Sequence, residues 1–592
     1  MSQLNLASMI RTKSSEYGEL VSMSFKEGEV WKKITYRELG QLIENLAKGL
    51  LELGVKVGDR VGIMAPNSPE WAIADFAIQS VGGITVPIYA TNTSGQAEYI
   101  AADAGLQVMF VGGFAEHEKV NSFAHKSTIR TQVVLDGTLQ ADDPNTVSYE
   151  ELLERGRTSN RAGEVEARCL GISTNDIASI IYTSGTTGEP KGVMLTHGNF
   201  FHQFRAVNEW FSVTTEDRSL CFLPLSHVYE RTWSYFVFNS GAQNWYVRDP
   251  KQVISYLAEV KPTVMVSAPR LYEKIYSAVH DKLSQASPLR QKLFHWAVGV
   301  GREHAAARQS GSRTELALRI RYALADKLVL HKIRDIVGGP KNFFSAGGAP
   351  MAREIEDFFF AAGILICRGY GLTETSPMLT ANCPDAFKFG SVGRPVIDCE
   401  IRIAEDGEIL AKGPNVMKGY YNNPTATEAV LRDGWLCTGD VGELSEDGYL
   451  TITDRKKDLI ITSGGKNVAP QRIETAVGKD HYIEQIAVVG EGRQFVSALI
   501  VPFFSALEEF ARRKKWEFES RLDLIRLPEV KKFFRERIDA HSFELANFEK
   551  IKEFRLLPED FTLAGGEITP TLKVKRNAIA AKYKELVEEI YA

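Results

Sequence analysis

Short runs of β-branched and aliphatic residues alternate with stretches of helical period through the first half of the chain. Val61-Gly62-Ile63-Met64 and Ile84 to Tyr89 read as strands flanking a helix over Glu70 to Gln79. Val108 to Val111 and Val133 to Leu135 continue the alternation. Repeated βα units of this kind predict a buried, largely parallel sheet. In residues 314–336, Leu316, Ile320, Leu324 and Leu328 recur four apart with charges between them, which predicts a helix laying that apolar line against its domain. The apolar run Phe358 to Cys367 covers about half a membrane span, so a helix end followed by a buried strand accounts for it.

From about residue 396 the texture changes. Glu400 to Ala404 and Glu408 to Ala411 flank Asp406-Gly407, the signature of a hairpin turn. Gln485 to Val489 and Val496 to Val501 predict a second hairpin, followed by two helical stretches, a strand over 551–557 and a helix over 577–590. The pattern divides the chain into a large α/β domain, a smaller β-rich section, and a compact α+β domain after about residue 455.

Length agrees: 592 residues exceed one ordinary core. A formal charge of −5 gives no general attraction to nucleic acid or to an anionic membrane. The run Arg512-Arg513-Lys514-Lys515 reads as a solvated helix face. Six scattered cysteines without a CxxC pair suggest neither zinc nor a disulfide framework, and fit a reducing cytoplasm. The N-terminus lacks the apolar core of a signal peptide. The expectation is a cytoplasmic protein that does not span a membrane but can rest on one as a peripheral contact.

The chemistry begins at Ile180-Ile181-Tyr182-Thr183-Ser184-Gly185-Thr186-Thr187-Gly188-Glu189-Pro190-Lys191-Gly192. A strand-like run stops in hydroxyls and glycines and ends on a lysine. Glycines let backbone N–H groups approach an anion, hydroxyls add donors, and Lys191 adds charge. The loop is not a Walker A motif, because Pro190 stands where its second glycine belongs.

The string Tyr182 to Gly192 resembles the phosphate-binding signature of the acyl-adenylate-forming superfamily, and further motifs follow in that family's order. Tyr370-Gly371-Leu372-Thr373-Glu374 resembles its adenine and magnesium motif. Tyr370 would stack on adenine, Thr373 donate to the α-phosphate, and Glu374 offer a hard oxygen to Mg²⁺. Ser345 to Pro350, with Gly348 and Ala349, resembles the wall between adenine and the acyl pocket. Thr438-Gly439-Asp440 resembles the ribose motif, its aspartate accepting from two hydroxyls. Arg455 is a second ribose or phosphate contact by the same resemblance, and Lys457 falls at the hinge. Ser463-Gly464-Gly465-Lys466-Asn467 resembles the loop along the pantetheine arm, and Gly566 to Arg576 the terminal motif that carries the catalytic lysine, here Lys573. Leu572 stands where the family commonly has glycine, which keeps Lys575 as a second candidate.

The resemblance implies an adenylation domain over 1–454 with the ATP and acyl sites, and a mobile domain over 455–592 that rotates about the hinge. It implies ATP, Mg²⁺ and coenzyme A, with a fatty acid activated as acyl-AMP and then passed to the thiol. The strings Phe222 to Arg231 and Pro269 to Lys274 resemble long-chain acyl-CoA synthetases, with His227 beside the substrate carboxylate. Where some relatives place a gating tryptophan, this chain has Arg231, with Trp233 two residues later. A fatty acyl-AMP ligase or acyl-carrier-protein synthetase, an aryl-CoA ligase, and an adenylate binder without catalysis are the alternatives. A peptide-synthetase domain is disfavoured, since no FDxS-type aspartate is present to hold an amino group.

Overall fold

The computed structural model describes the chain except residues 1–4, 138–142, 184–188, 310–314, 340, 457, 465, 544, 570–572 and 592. Two sheets form the N-terminal body. In the eight-stranded sheet, Ile177–Thr183, Ile84–Ile88, Arg60–Met64, Val108–Val111, Thr131–Val134 and Thr146–Ser148 run parallel, as the alternating pattern predicts. Two antiparallel strands, Lys191–Thr196 and Gly419–Tyr420, complete one edge. The nine-stranded sheet contains Ile366–Gly371, Phe343–Ala346, Val264–Ser267, Arg218–Cys221 and Gln243–Tyr246 as its parallel centre.

The helices Pro69–Ser80 and Val228–Asn239 belong to one apolar core with strands from both sheets. Apart from Glu70, every residue of the first is buried, as an element apolar on all sides requires. One ion pair joins them. Arg231 donates to both carboxylate oxygens of Asp75, at 2.5 and 2.9 Å, and to Ser179 Oγ at 2.6 Å. Both side chains are about 1% exposed. Such a pair is costly to break because the surviving charge is left buried, at roughly 3–5 kcal/mol. Arg231 is therefore fastened into the core, and Trp233 likewise, its indole donating to Ser219 Oγ at 2.8 Å.

The β-rich section is a five-stranded sheet containing Glu400–Ile403, Glu408–Lys412, Trp435–Leu444 and Leu450–Arg455. The predicted hairpin turns at Gly407, whose φ of 83° suits glycine. The C-terminal section packs helices on a three-stranded sheet of Ile483–Val489, Ser497–Pro502 and Glu553–Leu556. The two predicted helical stretches are three, because Pro528 holds Leu527 extended and splits Arg521–Arg526 from Pro528–His541. The predicted final helix is broken at Tyr583 into Arg576–Lys582 and Lys584–Tyr591.

One expectation is overturned. The helix Leu316–Ala325 packs inward through Leu318, Tyr322 and Ala325, while Leu316, Ile320, Leu324 and Leu328 are 70, 63, 50 and 38% exposed. Periodicity marks a face, but here a second apolar face nearly half a turn away won the core. Among the described residues, no helix is long and apolar enough to cross a membrane.

Candidate active site

The predicted phosphate loop joins the antiparallel strands Ile177–Thr183 and Lys191–Thr196, with Thr183 opposite Lys191. Ser184, Gly185, Thr186, Thr187 and Gly188 lie outside the described residues. The Lys191 ammonium lies 5.1 Å from the centre of the Tyr420 ring. The Tyr420 hydroxyl donates to Glu374 Oε1 at 2.9 Å. Tyr420 thus links the basic end of the loop to the one carboxylate of the Thr373–Thr375 turn, a pairing that the sequence alone does not signal.

That turn follows Ile366–Gly371 directly, and Gly371 is obligatory there: a Cβ would sit 1.7 Å from the Pro377 carbonyl oxygen. Thr373 and Glu374 are half-buried at its head. At the strand's end the Tyr370 ring is buried and its hydroxyl donates to Asp440 Oδ2 at 2.7 Å. Asp440 and Arg455 are direct cross-strand partners, Arg455 Nε lying 3.2 Å from Asp440 Oδ1. Burial pushes the Asp440 carboxyl above its ordinary range, and the Arg455 charge pulls it back.

Gly348, with φ 81°, and Ala349 are exposed on the turn after Phe343–Ala346, with open space beside Gly348. A Cβ on Gly347 would touch the Tyr229 ring at 3.4 Å. Tyr229, whose hydroxyl shares a 2.8 Å hydrogen bond with Ser345 Oγ, ties this wall to the 222–231 string. His227 caps the helix Val228–Asn239: its Nδ1 accepts from the Tyr229 N–H at 3.1 Å, leaving Nε2 as the N–H of the neutral ring. Burial, with help from the Lys573 charge, takes its pKa down to about 4.

Lys573 reaches this cluster from the other end of the chain. Thr569 and Lys573 exchange hydrogen bonds, Thr569 N–H to the Lys573 carbonyl at 2.8 Å and Lys573 N–H to Thr569 Oγ1 at 3.0 Å. Burial lowers its pKa to about 8, the Arg455 charge adds to that, and Asp440, Asp458 and Glu374 oppose it. Lys573 therefore shares one electrostatic site with Glu374, Asp440, Arg455 and His227. Lys575 instead precedes the helix Arg576–Lys582, its N–H bonded to the Glu567 carbonyl.

Gly464 is not in this cluster. Its exposed turn between Ile460–Ile461 and Asn467–Val468 is held within its own domain, Ser463 N–H donating to the Arg493 carbonyl at 2.8 Å. Lys457 and Gly465 lie outside the described residues.

The motif residues that resemble those of adenylate-forming enzymes, Glu374, Asp440, Arg455 and Lys573, thus lie in one electrostatic neighbourhood. The chain belongs to the AMP-binding enzyme family: that family's model matches residues 11–421, and the model of the AMP-binding enzyme C-terminal domain matches residues 457–592. It is 37% identical over 565 residues to the long-chain-fatty-acid–CoA ligase FadD15 of Mycobacterium tuberculosis, covering 95% of this chain and 93% of that one. It is 29% identical to the chloroplastic long-chain-fatty-acid–[acyl-carrier-protein] ligase AEE15 of Arabidopsis thaliana, covering 98% and 86%. In fold it is similar to the anthranilate CoA ligase AuaEII bound to anthranoyl-AMP, with a TM-score of 0.73, 18% identity and 99% of each chain covered.

Proposed function

We propose that this enzyme converts a long-chain fatty acid, ATP and coenzyme A into acyl-CoA, AMP and pyrophosphate through an acyl-adenylate. The observation that carries the reading is the convergence of Lys573, far along the C-terminal domain, with Glu374, Asp440 and His227 from the N-terminal domain and with Arg455 at the boundary between the two. In the first step a carboxylate oxygen attacks the α-phosphorus, and the bond to the pyrophosphate oxygen breaks. Both reactants are anions, so positioning and charge neutralisation do the catalytic work. Lys191 and Lys573 neutralise the phosphates, and Thr373 donates to the α-phosphate. Asp440 accepts from the ribose, with Arg455 and Tyr370 fixing its carboxylate, and Tyr370 borders the adenine. The His227 Nε2–H holds the substrate carboxylate. Gly348 and Ala349 wall the pocket with backbone.

Among the described residues, no group of three His, Cys, Asp or Glu is placed to hold a metal by itself. That fits Mg²⁺, which binds through one or two carboxylates plus substrate phosphate oxygens. Glu374 would hold it, oriented by Tyr420, and the ion supplies charge neutralisation at the phosphates.

In the second step the coenzyme A sulfur attacks the acyl carbon, AMP leaves, and the thiol proton passes to solvent. We divide the chain into an adenylation domain, 1–454, and a mobile domain, 455–592, turning at Lys457. The turn brings Gly464-Gly465 to the pantetheine and withdraws Lys573. The enzyme works in the cytoplasm, with peripheral membrane contact through the helix Leu316–Ala325. Its exposed Leu316, Ile320 and Leu324 are flanked by exposed Arg319, Arg321 and Lys327, an apolar stripe with basic margins suited to an anionic lipid surface.

Mass spectrometry of products from palmitate, ATP and Mg²⁺, with and without coenzyme A, tests the reading. Palmitoyl-CoA with AMP supports it. Palmitoyl-AMP that persists with coenzyme A present would instead assign a carrier-protein acceptor, as in the name of the AEE15 relative.

A further inference from the structure

The two domains meet through a charged turn that none of the adenylate motifs includes. Residues Lys479 to Glu484 link the helix Pro470–Gly478 to the strand Ile483–Val489, and Lys479, His481 and Glu484 each meet a side chain of the N-terminal body. Lys479 Nζ lies 3.1 Å from Glu354 Oε2, on the helix Arg353–Ala361. His481 Nδ1 lies 3.0 Å from Asp281 Oδ2, on the helix Pro269–Ser284. Arg270, in the first turn of that same helix, donates to both the backbone carbonyl and the carboxylate of Glu484 at 3.2 Å.

The turn is stiff. Between Lys479 and His481, Asp480 has a fully buried carboxylate that takes Arg537 Nε at 2.6 Å, His541 Nε2 at 2.9 Å and the Tyr482 N–H at 2.9 Å. It is also wired to the catalytic segment. Next to Glu484, the Gln485 amide donates to the Phe561 carbonyl at 3.1 Å and accepts from the Phe561 N–H at 2.6 Å. Phe561 heads the stretch that ends in Lys573, and Ile568 and Val574 pair as a β-bridge around that lysine. Docking of the turn therefore sets where Lys573 stands.

We propose that Lys479, His481 and Glu484 form an electrostatic latch with Glu354, Asp281 and Arg270. The latch holds the C-terminal domain in the posture that presents Lys573 for adenylate formation and opens for thiol transfer. The inference rests on the two-step reading above. The six act as positioning residues, through Lys573. Their side chains are 17 to 41% exposed, so each pair contributes modestly. That suits a contact that must break once per turnover.

The test uses the full chain and two assays: pyrophosphate release from palmitate and ATP without coenzyme A, and palmitoyl-CoA formation from synthetic palmitoyl-AMP. Glu354→Lys should slow the first about fivefold or more and leave the second unchanged or faster. Adding Lys479→Glu, which restores the pair with its charges exchanged, should recover the first. The Arg270→Glu and Glu484→Arg pair should repeat the pattern. Thermal melts of each variant report folding separately. Equal loss in both assays, or no recovery in the exchanged double variants, overturns the latch while leaving the function intact. Wild type that forms no thioester overturns the function, and the latch with it.

Discussion

Asp440 and Arg455 stand directly opposite each other on adjacent strands, with the guanidinium 3.2 Å from one carboxylate oxygen and the Tyr370 hydroxyl 2.7 Å from the other. The carboxylate is thus held from both sides, as the proposed ribose acceptor requires. Asp440→Asn keeps the shape but loses the charge that organises both neighbours. The KM for ATP should rise about tenfold or more, as for a lost hydrogen bond to a charged group, with a smaller effect on the KM for the fatty acid. A matched rise in both constants would count against a ribose role.

Lys573 has its ammonium destabilised by burial to a pKa of about 8. On the proposed role the charged form is the one needed at the phosphates, so adenylate formation should decline as pH rises through about 8. Thiol transfer from pre-made acyl-AMP should lack that limb. Lys573→Ala should cost the first step roughly 10²–10³-fold and remove the limb, while the second step persists. Retention of the same limb in the alanine variant would assign it to another group.

Tyr420 bonds the carboxylate expected to meet Mg²⁺. Tyr420→Phe removes only the hydroxyl. The Mg²⁺ concentration for half-maximal adenylation should rise roughly tenfold, with fatty-acid KM unchanged. An unaltered Mg²⁺ titration would confine Tyr420 to packing.

Glu230 is a carboxyl in the core, with Oε1 lacking a hydrogen-bond partner among the described residues; burial pushes its pKa up to about 8. An acid whose folded pKa is raised stays neutral in the native state while the unfolded chain ionises above its ordinary value of 4.5. Stability is then highest below pH 4.5 and is lost as pH climbs from there to about 8. Glu230→Gln should reduce that decline, so its Tm advantage over wild type grows between pH 5 and 8. Parallel Tm curves would show the carboxyl is not held neutral.

The exposed stripe offers a separate test. Leu316→Ser, Ile320→Ser and Leu324→Ser together should lower co-sedimentation with anionic phosphatidylglycerol vesicles and spare turnover of detergent-dispersed palmitate. Equal vesicle binding by variant and wild type would remove this helix from the membrane contact. Loss of a concentration-dependent dimer instead would make the stripe a self-association surface.

Local chemistry was enough to find many of the strands and turns, while the candidate site residues came from short strings that resemble a known family. A parallel strand buried on both faces must be continuously apolar, as Val108–Val111 is. A backbone that passes close to its neighbours needs glycine, as at Gly371. Such demands act within a few residues, so they are written as short strings. What those strings could not contain are pairings between distant segments. Tyr420 meets Glu374 across 46 residues, Lys479 meets Glu354 across 125, and Arg231 meets Asp75 across 156. Each partner alone is an unremarkable polar residue, and only the packing of distant helices, strands and turns makes them neighbours. The same holds for the helix Leu316–Ala325. Its period predicts a helix, but which of two apolar faces enters the core is settled by the surface it packs against.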